Sequence, residues 1–154
     1  MNLDKEIEKR LARAWNEVLG RSQRKRIKEV WQRMKKGESL SEEDERLAKI
    51  LLEHQEYAKI WEETSSKIDE TEKINPYLHV SLHLVIENQI AEENPRQVSR
   101  YLSKKLSQGA DRHEIIHELA SIFSEFLLNT LKYQRPFNRA QYIQKLVEVT
   151  RNID

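Results

Sequence analysis

The histidines carry the clearest chemistry in this sequence. Four of the five form two pairs at i,i+4 spacing, His79 with His83 and His113 with His117. On an α-helix that spacing puts both imidazoles on one face, one turn apart, with about 6 Å between their Cβ atoms. Two such rings can bind one metal ion without bending the backbone, as in sites built between facing helices of a bundle. Glu87, one helical turn past His83, extends the first row as a carboxylate ligand, and Glu125 is a looser candidate on the second. The candidate metal ligands are therefore His79, His83 and His117, with His113 or Glu87 completing the set. Imidazole combined with carboxylate suits zinc, or a non-haem iron or manganese centre. His54 stands alone on the buried side of its helix and reads as a satisfied core residue rather than a ligand.

A blander reading competes with this one. Paired histidines also cap helices, hydrogen-bond across them or fill the margins of apolar faces. On that reading the chain is a non-enzymatic interaction or scaffold protein whose histidines are structural. The run His113-Glu114-Ile115-Ile116-His117 also spells H-E-x-x-H, in which the glutamate would be the general base of a zinc protease. Glu114, however, falls three residues after Asp111, where a capping role accounts for it. No third ligand follows at metzincin spacing, and no strand is available to hold a peptide. Glycine-rich phosphate loops, the Gly-x-Ser-x-Gly elbow and basic–aromatic interleaving are absent, so no reaction, substrate or organic cofactor is indicated.

The elements that must position these rings are helical. With 3 glycines and 3 prolines in 154 residues, the chain has little turn chemistry for hairpins. Leu3, Ile7, Leu11, Ala14, Trp15 and Val18 keep helical spacing up to Gly20, read as a stop. Ile27, Val30, Trp31 and Met34 form a second stripe ending at Gly37. Ser41 with Asp44 opens a third helix through a capping box, and its stripe runs Leu47, Ile50, Leu51, His54, Ala58, Trp61. Thr64 to Lys73 reads as a long polar loop. Asn75-Pro76 is a helix start, Asn as N-cap and Pro at the first helical position, and Asn94-Pro95 repeats that signal. The Pro76 helix is apolar over most of its circumference and belongs in the middle of a bundle. Asp111 with Glu114 opens a long helix carrying His113 and His117. Asn138 with Gln141 opens the last, and Phe137 can staple onto Tyr142. The expected fold is all-α, an irregular bundle of about six or seven helices in a single domain over 1–154.

Composition limits the alternatives. The chain has no cysteine, which excludes disulfides, Cys-ligated zinc and a thiol nucleophile. Neither a secretory signal nor a spanning segment is visible, so the expected compartment is the cytoplasm, with no membrane partner. The net charge of +1 hides an asymmetry: residues 1–37 carry 12 Lys/Arg against 5 Asp/Glu, and residues 38–75 carry 5 against 12. The cluster Arg21, Arg24, Lys25, Arg26, Lys28 could track phosphates of a nucleic acid. The favoured reading is that basic and acidic halves face each other as neighbouring helices. A protein partner docking on the charged faces is the other expectation, with the basic helices of 1–37 as candidates for the periphery of the bundle.

The segment Asn75-Pro76-Tyr77-Leu78-His79-Val80-Ser81-Leu82-His83-Leu84 resembles the signature N-P-[FY]-L-H-x-S-L-H-L of a small bacterial family of domains of unknown function, number 1841. The resemblance extends upstream through Trp31, Leu40 to Leu51 and His54-Gln55-Glu56-Tyr57, where the family tends to have His-Pro-Glu-Tyr. Downstream it takes in Gln89, Pro95, His117 and Tyr142. It implies an all-helical bacterial protein, without an activity to carry over. It maps His54, His79, His83 and His117 onto recurrent positions. The family's acid near the end of this helix falls at Asn88 rather than Glu87, and His113 has no firm counterpart.

Overall fold

The computed structural model describes residues 5–62 and 75–153. Among these residues it contains eight α-helices and no strand: α1 (Lys5–Val18), α2 (Gly20–Lys35), α3 (Glu42–Glu53), α4 (Ala58–Glu62), α5 (Pro76–Glu92), α6 (Arg96–Ser107), α7 (Arg112–Tyr133) and α8 (Arg139–Arg151), with a 3-10 turn at Gln55–Tyr57 before α4. The count exceeds the expected six or seven. The stripe from Leu47 to Trp61 breaks at His54, so one expected helix becomes two helices and a turn. The expected polar loop from Thr64 to Lys73 lies outside the described residues.

Local chemistry sets most boundaries. The Ser41 side chain accepts from the Asp44 N–H, Asp111 from that of Glu114, and Asn138 from that of Gln141. Each supplies an acceptor to a first-turn donor that has no partner within its helix. Asn75 Oδ1 takes two such donors, Tyr77 N–H and Leu78 N–H, at 3.1 and 3.2 Å. Gly37 and Gly109 follow α2 and α6 at φ of +72° and +82°, left-handed conformations that favour glycine. Two expectations fail. Gly20 does not stop the chain but opens α2, and Leu19 carries the hydrogen bonding across, donating to Trp15 O and accepting from Gln23 N–H. Asn94 does not cap α6: Pro95 occupies the N-cap, and the Asn94 side chain accepts from Arg139 of α8 instead.

Helix α5 sits in the middle, packed against α2, α3, α6 and α7. Its sequence explains the position. Tyr77, Leu78, Val80, Leu82, Leu84 and Ile86 are all buried, and they spread around most of the helix circumference. Helix α1 lies on α7 and α2, and α8 on α6 and α7. Although charge alone made the first two helices candidates for the periphery, Leu11, Trp15, Ile27, Val30 and Trp31 are buried in the core. The basic face of α2 meets acidic groups from the following segment: Arg26 pairs with Asp44 at 3.0 Å and Glu43 at 3.3 Å, and Lys35 with Glu62 at 2.7 Å. No helix among the described residues is long and apolar enough to cross a membrane.

Candidate metal centre

All five histidines converge between α3, α5 and α7. His79 and His83 project from adjacent turns of α5, and His113 and His117 from the first two turns of α7. His54 is the C-cap residue of α3, with φ −115° and ψ 53°, the point where the chain leaves the helix. The His83 ring touches the other four, with centroids 4.7 Å from His54, 4.8 Å from His79, 5.0 Å from His113 and 4.9 Å from His117. The remaining four contact one another around it in the order His54–His79–His117–His113, at 5.0, 5.2, 4.3 and 5.4 Å. His54 and His83 are each 2% exposed; the other three are half-buried.

The ring nitrogens are arranged as ligands would be. His54 Nδ1 lies 2.7 Å from the Ile50 carbonyl oxygen. A carbonyl can only accept, so Nδ1 carries the proton and Nε2 presents a lone pair. A backbone acceptor on the far nitrogen is the usual outer-sphere support of a ligating histidine. His54 Nε2 in turn lies 3.2 Å from His79 Nε2. His83 Nε2 and His117 Nε2 are buried without a hydrogen-bond partner, each an omission that costs about 1–3 kcal/mol in a folded protein. One nitrogen each from His54, His79, His83 and His117 lies within 4.8 Å of the rest, the one such group among the described residues. Tetrahedral zinc with Zn–N near 2.0–2.1 Å separates its ligand nitrogens by about 3.4 Å. The His54–His79 pair already meets that edge, and closing the others takes shifts of under about 1 Å per ring.

Electrostatics favour the neutral, metal-binding form. Burial holds His83 down to about 2 and His79 to about 3, with the neighbouring imidazoles adding to the effect, and His117 is lowered for the same reasons. A charged imidazolium would lose hydration there, and a second one would be repelled by the first.

The structure separates the remaining candidates. His113 is packed against the cluster but stands outside the four-nitrogen set. Glu87 does not join the rings. Both its carboxylate oxygens accept from Arg112, at 2.7 and 2.8 Å. Glu114 is exposed, and its charge acts on His117 in the direction opposite to burial. Glu125 is exposed as well. His54 is the residue sequence reasoning set aside, and it is indeed buried and bonded at Nδ1, yet its second nitrogen faces the cluster.

Residues 20–148 match the family described as Domain of unknown function (DUF1841). The chain belongs to that family. The four residues whose nitrogens lie together, His54, His79, His83 and His117, all fall within the matched span. Within the same span the Tyr142 hydroxyl donates to Gln89 Oε1 at 2.8 Å and ties α8 to α5. Asn88, standing where an acid was expected, donates to Glu43 and accepts from Arg46, joining α5 to α3. No curated protein and no solved structure matches the chain.

Proposed function

We propose that this chain is a metal-binding helical protein in which His54, His79, His83 and His117 hold one divalent first-row transition ion. The observation that carries the reading is the pair of buried, unpartnered nitrogens, His83 Nε2 and His117 Nε2, beside the close approach of His54 Nε2 to His79 Nε2. A metal ion satisfies all four at once. Hydrogen bonding among the rings does not: a proton shared between His54 and His79 leaves the other two nitrogens without partners.

The donor set bears on the metal. Four imidazoles with no thiolate and no free carboxylate suit zinc, copper, nickel or iron better than manganese, magnesium or calcium. Zinc is the first choice among them, since four protein ligands in a buried setting describe a closed tetrahedral site. The test is elemental analysis of protein purified without a histidine tag. Near-stoichiometric metal that is lost in His83→Ala supports the reading. Metal-free protein whose melting ignores both chelator and added zinc overturns it, and leaves a scaffold protein with structural histidines.

A further inference from the structure

The fifth imidazole has no part in the four-nitrogen set, and its placement suggests a different task. His113 contacts three members of the set, at 4.3 Å from His117, 5.0 Å from His83 and 5.4 Å from His54. Its plane makes only 28° with His83, whereas His54, His79 and His117 meet that ring at 58–79°. It therefore stacks on His83, and it stands outside the four-nitrogen set. His54 and His83 are almost wholly buried, whereas His113, like His79 and His117, is partly exposed, and it stands in the first turn of α7. An ion arriving from water must shed its hydration shell before it reaches those two; His79 and His113 each touch both of them and water, and of that pair only His113 stands outside the four-nitrogen set.

We infer that His113 is the loading ligand of this centre: it captures a divalent ion at the solvent side and passes it to the other four. The inference rests on the metal-binding reading above. Partly exposed side chains change rotamer far faster than ions exchange from closed sites, so a swing of one ring suffices. Charge at the mouth fits the same task. Arg112, next in sequence, would repel a cation, but Glu87 engages its guanidinium through two hydrogen bonds. A ligand used only in transit lowers the barrier in both directions and leaves the equilibrium nearly unchanged. That kinetic signature separates a loading ligand from a permanent one.

The experiment mixes metal-free protein with zinc in a stopped-flow instrument, then mixes the zinc-loaded protein with excess chromophoric chelator. His113→Ala is expected to slow both loading and release by about tenfold, a rise of about 1.4 kcal/mol in the shared barrier. Its zinc dissociation constant should stay within about threefold of the unaltered protein, under 1 kcal/mol. Free imidazole added to the variant should restore part of the rate. Unchanged rates overturn the inference, and so does an affinity loss as large as that of His117→Ala, which would make His113 a permanent ligand. Failure of the unaltered protein to take up zinc or any other divalent ion overturns the metal-binding reading itself, a separate result.

Discussion

His54 Nε2 and His79 Nε2 stand 3.2 Å apart although 25 positions separate the two residues in sequence. The Ile50 carbonyl fixes the proton on the other nitrogen of His54, so its lone pair faces His79. With a metal bound, that lone pair becomes a bond. His54→Ala is therefore expected to lower zinc affinity at least tenfold, as measured by competition with a chelator. Added zinc at one hundred times the dissociation constant should stabilise the unaltered protein by about 2.7 kcal/mol, and the same concentration should do far less for the variant. Equal stabilisation of both proteins would remove His54 from the ligand set.

The contrast between His54 and the other histidines shows what the sequence made legible. The i,i+4 pairs were visible because helical spacing alone puts two rings on one face. The caps at Ser41, Asn75, Asp111 and Asn138 were visible because each depends on an acceptor and a donor two or three residues apart. The central place of α5 followed from apolar residues over most of its circumference. His54 was placed correctly on the buried side, but its partners come from α5, a contact that no local pattern encodes. The same holds for Glu87, whose spacing on α5 is right for a ligand. Its engagement depends on Arg112, 25 residues away, which the helix pattern does not reveal. Asn94 and Gly20 misled for a related reason, since tertiary contacts and continuous hydrogen bonding override a local stop or start signal.

Glu87→Gln separates the carboxylate from the metal question. Because both oxygens accept from Arg112, the variant is expected to keep its metal stoichiometry and its zinc affinity within about threefold. The pair is partly exposed, so the stability change should be below about 1 kcal/mol. Elemental analysis and thermal melting check both. Loss of metal in this variant would show that the carboxylate leaves Arg112 and coordinates, and would reopen iron and manganese as candidates.

Acid should weaken the metal-free protein earlier than carboxylate chemistry alone would require. His79 at about 3 and His83 at about 2 lie far below the 6.5 of an unfolded histidine. Between those limits the unfolded chain binds more protons than the folded one, so stability falls as pH falls. The contribution is complete above pH 6.5 and is lost progressively below it, by about 1.4 kcal/mol per pH unit for each ring that stays neutral. Urea titrations between pH 7.5 and 5 should show that slope, and His83→Phe should flatten it. Zinc should add stability at pH 7 and be displaced by protons as the pH drops. A flat profile from pH 7 to 5 would mean that the rings are already charged or accessible in the folded state.

Asn75→Ala tests whether the helix start sets the position of the first ligand. Asn75 Oδ1 accepts from Tyr77 and Leu78, and its carbonyl accepts from the backbone N–H of His79 at 3.0 Å. Losing the side-chain cap should cost about 1 kcal/mol of stability. His79 sits in that same first turn, so fraying there competes with metal binding, and zinc affinity should fall by up to about fivefold, the same free energy read as binding. Asn75→Asp, an equally good cap, should preserve both stability and affinity. The competing influence is packing: Tyr77 and Trp61 meet edge to face at 5.1 Å, and both are buried. If Asn75→Ala melts earlier but binds zinc as tightly as before, that aromatic contact, not the cap, fixes His79. If affinity falls in step with stability, the cap and the centre are one coupled unit.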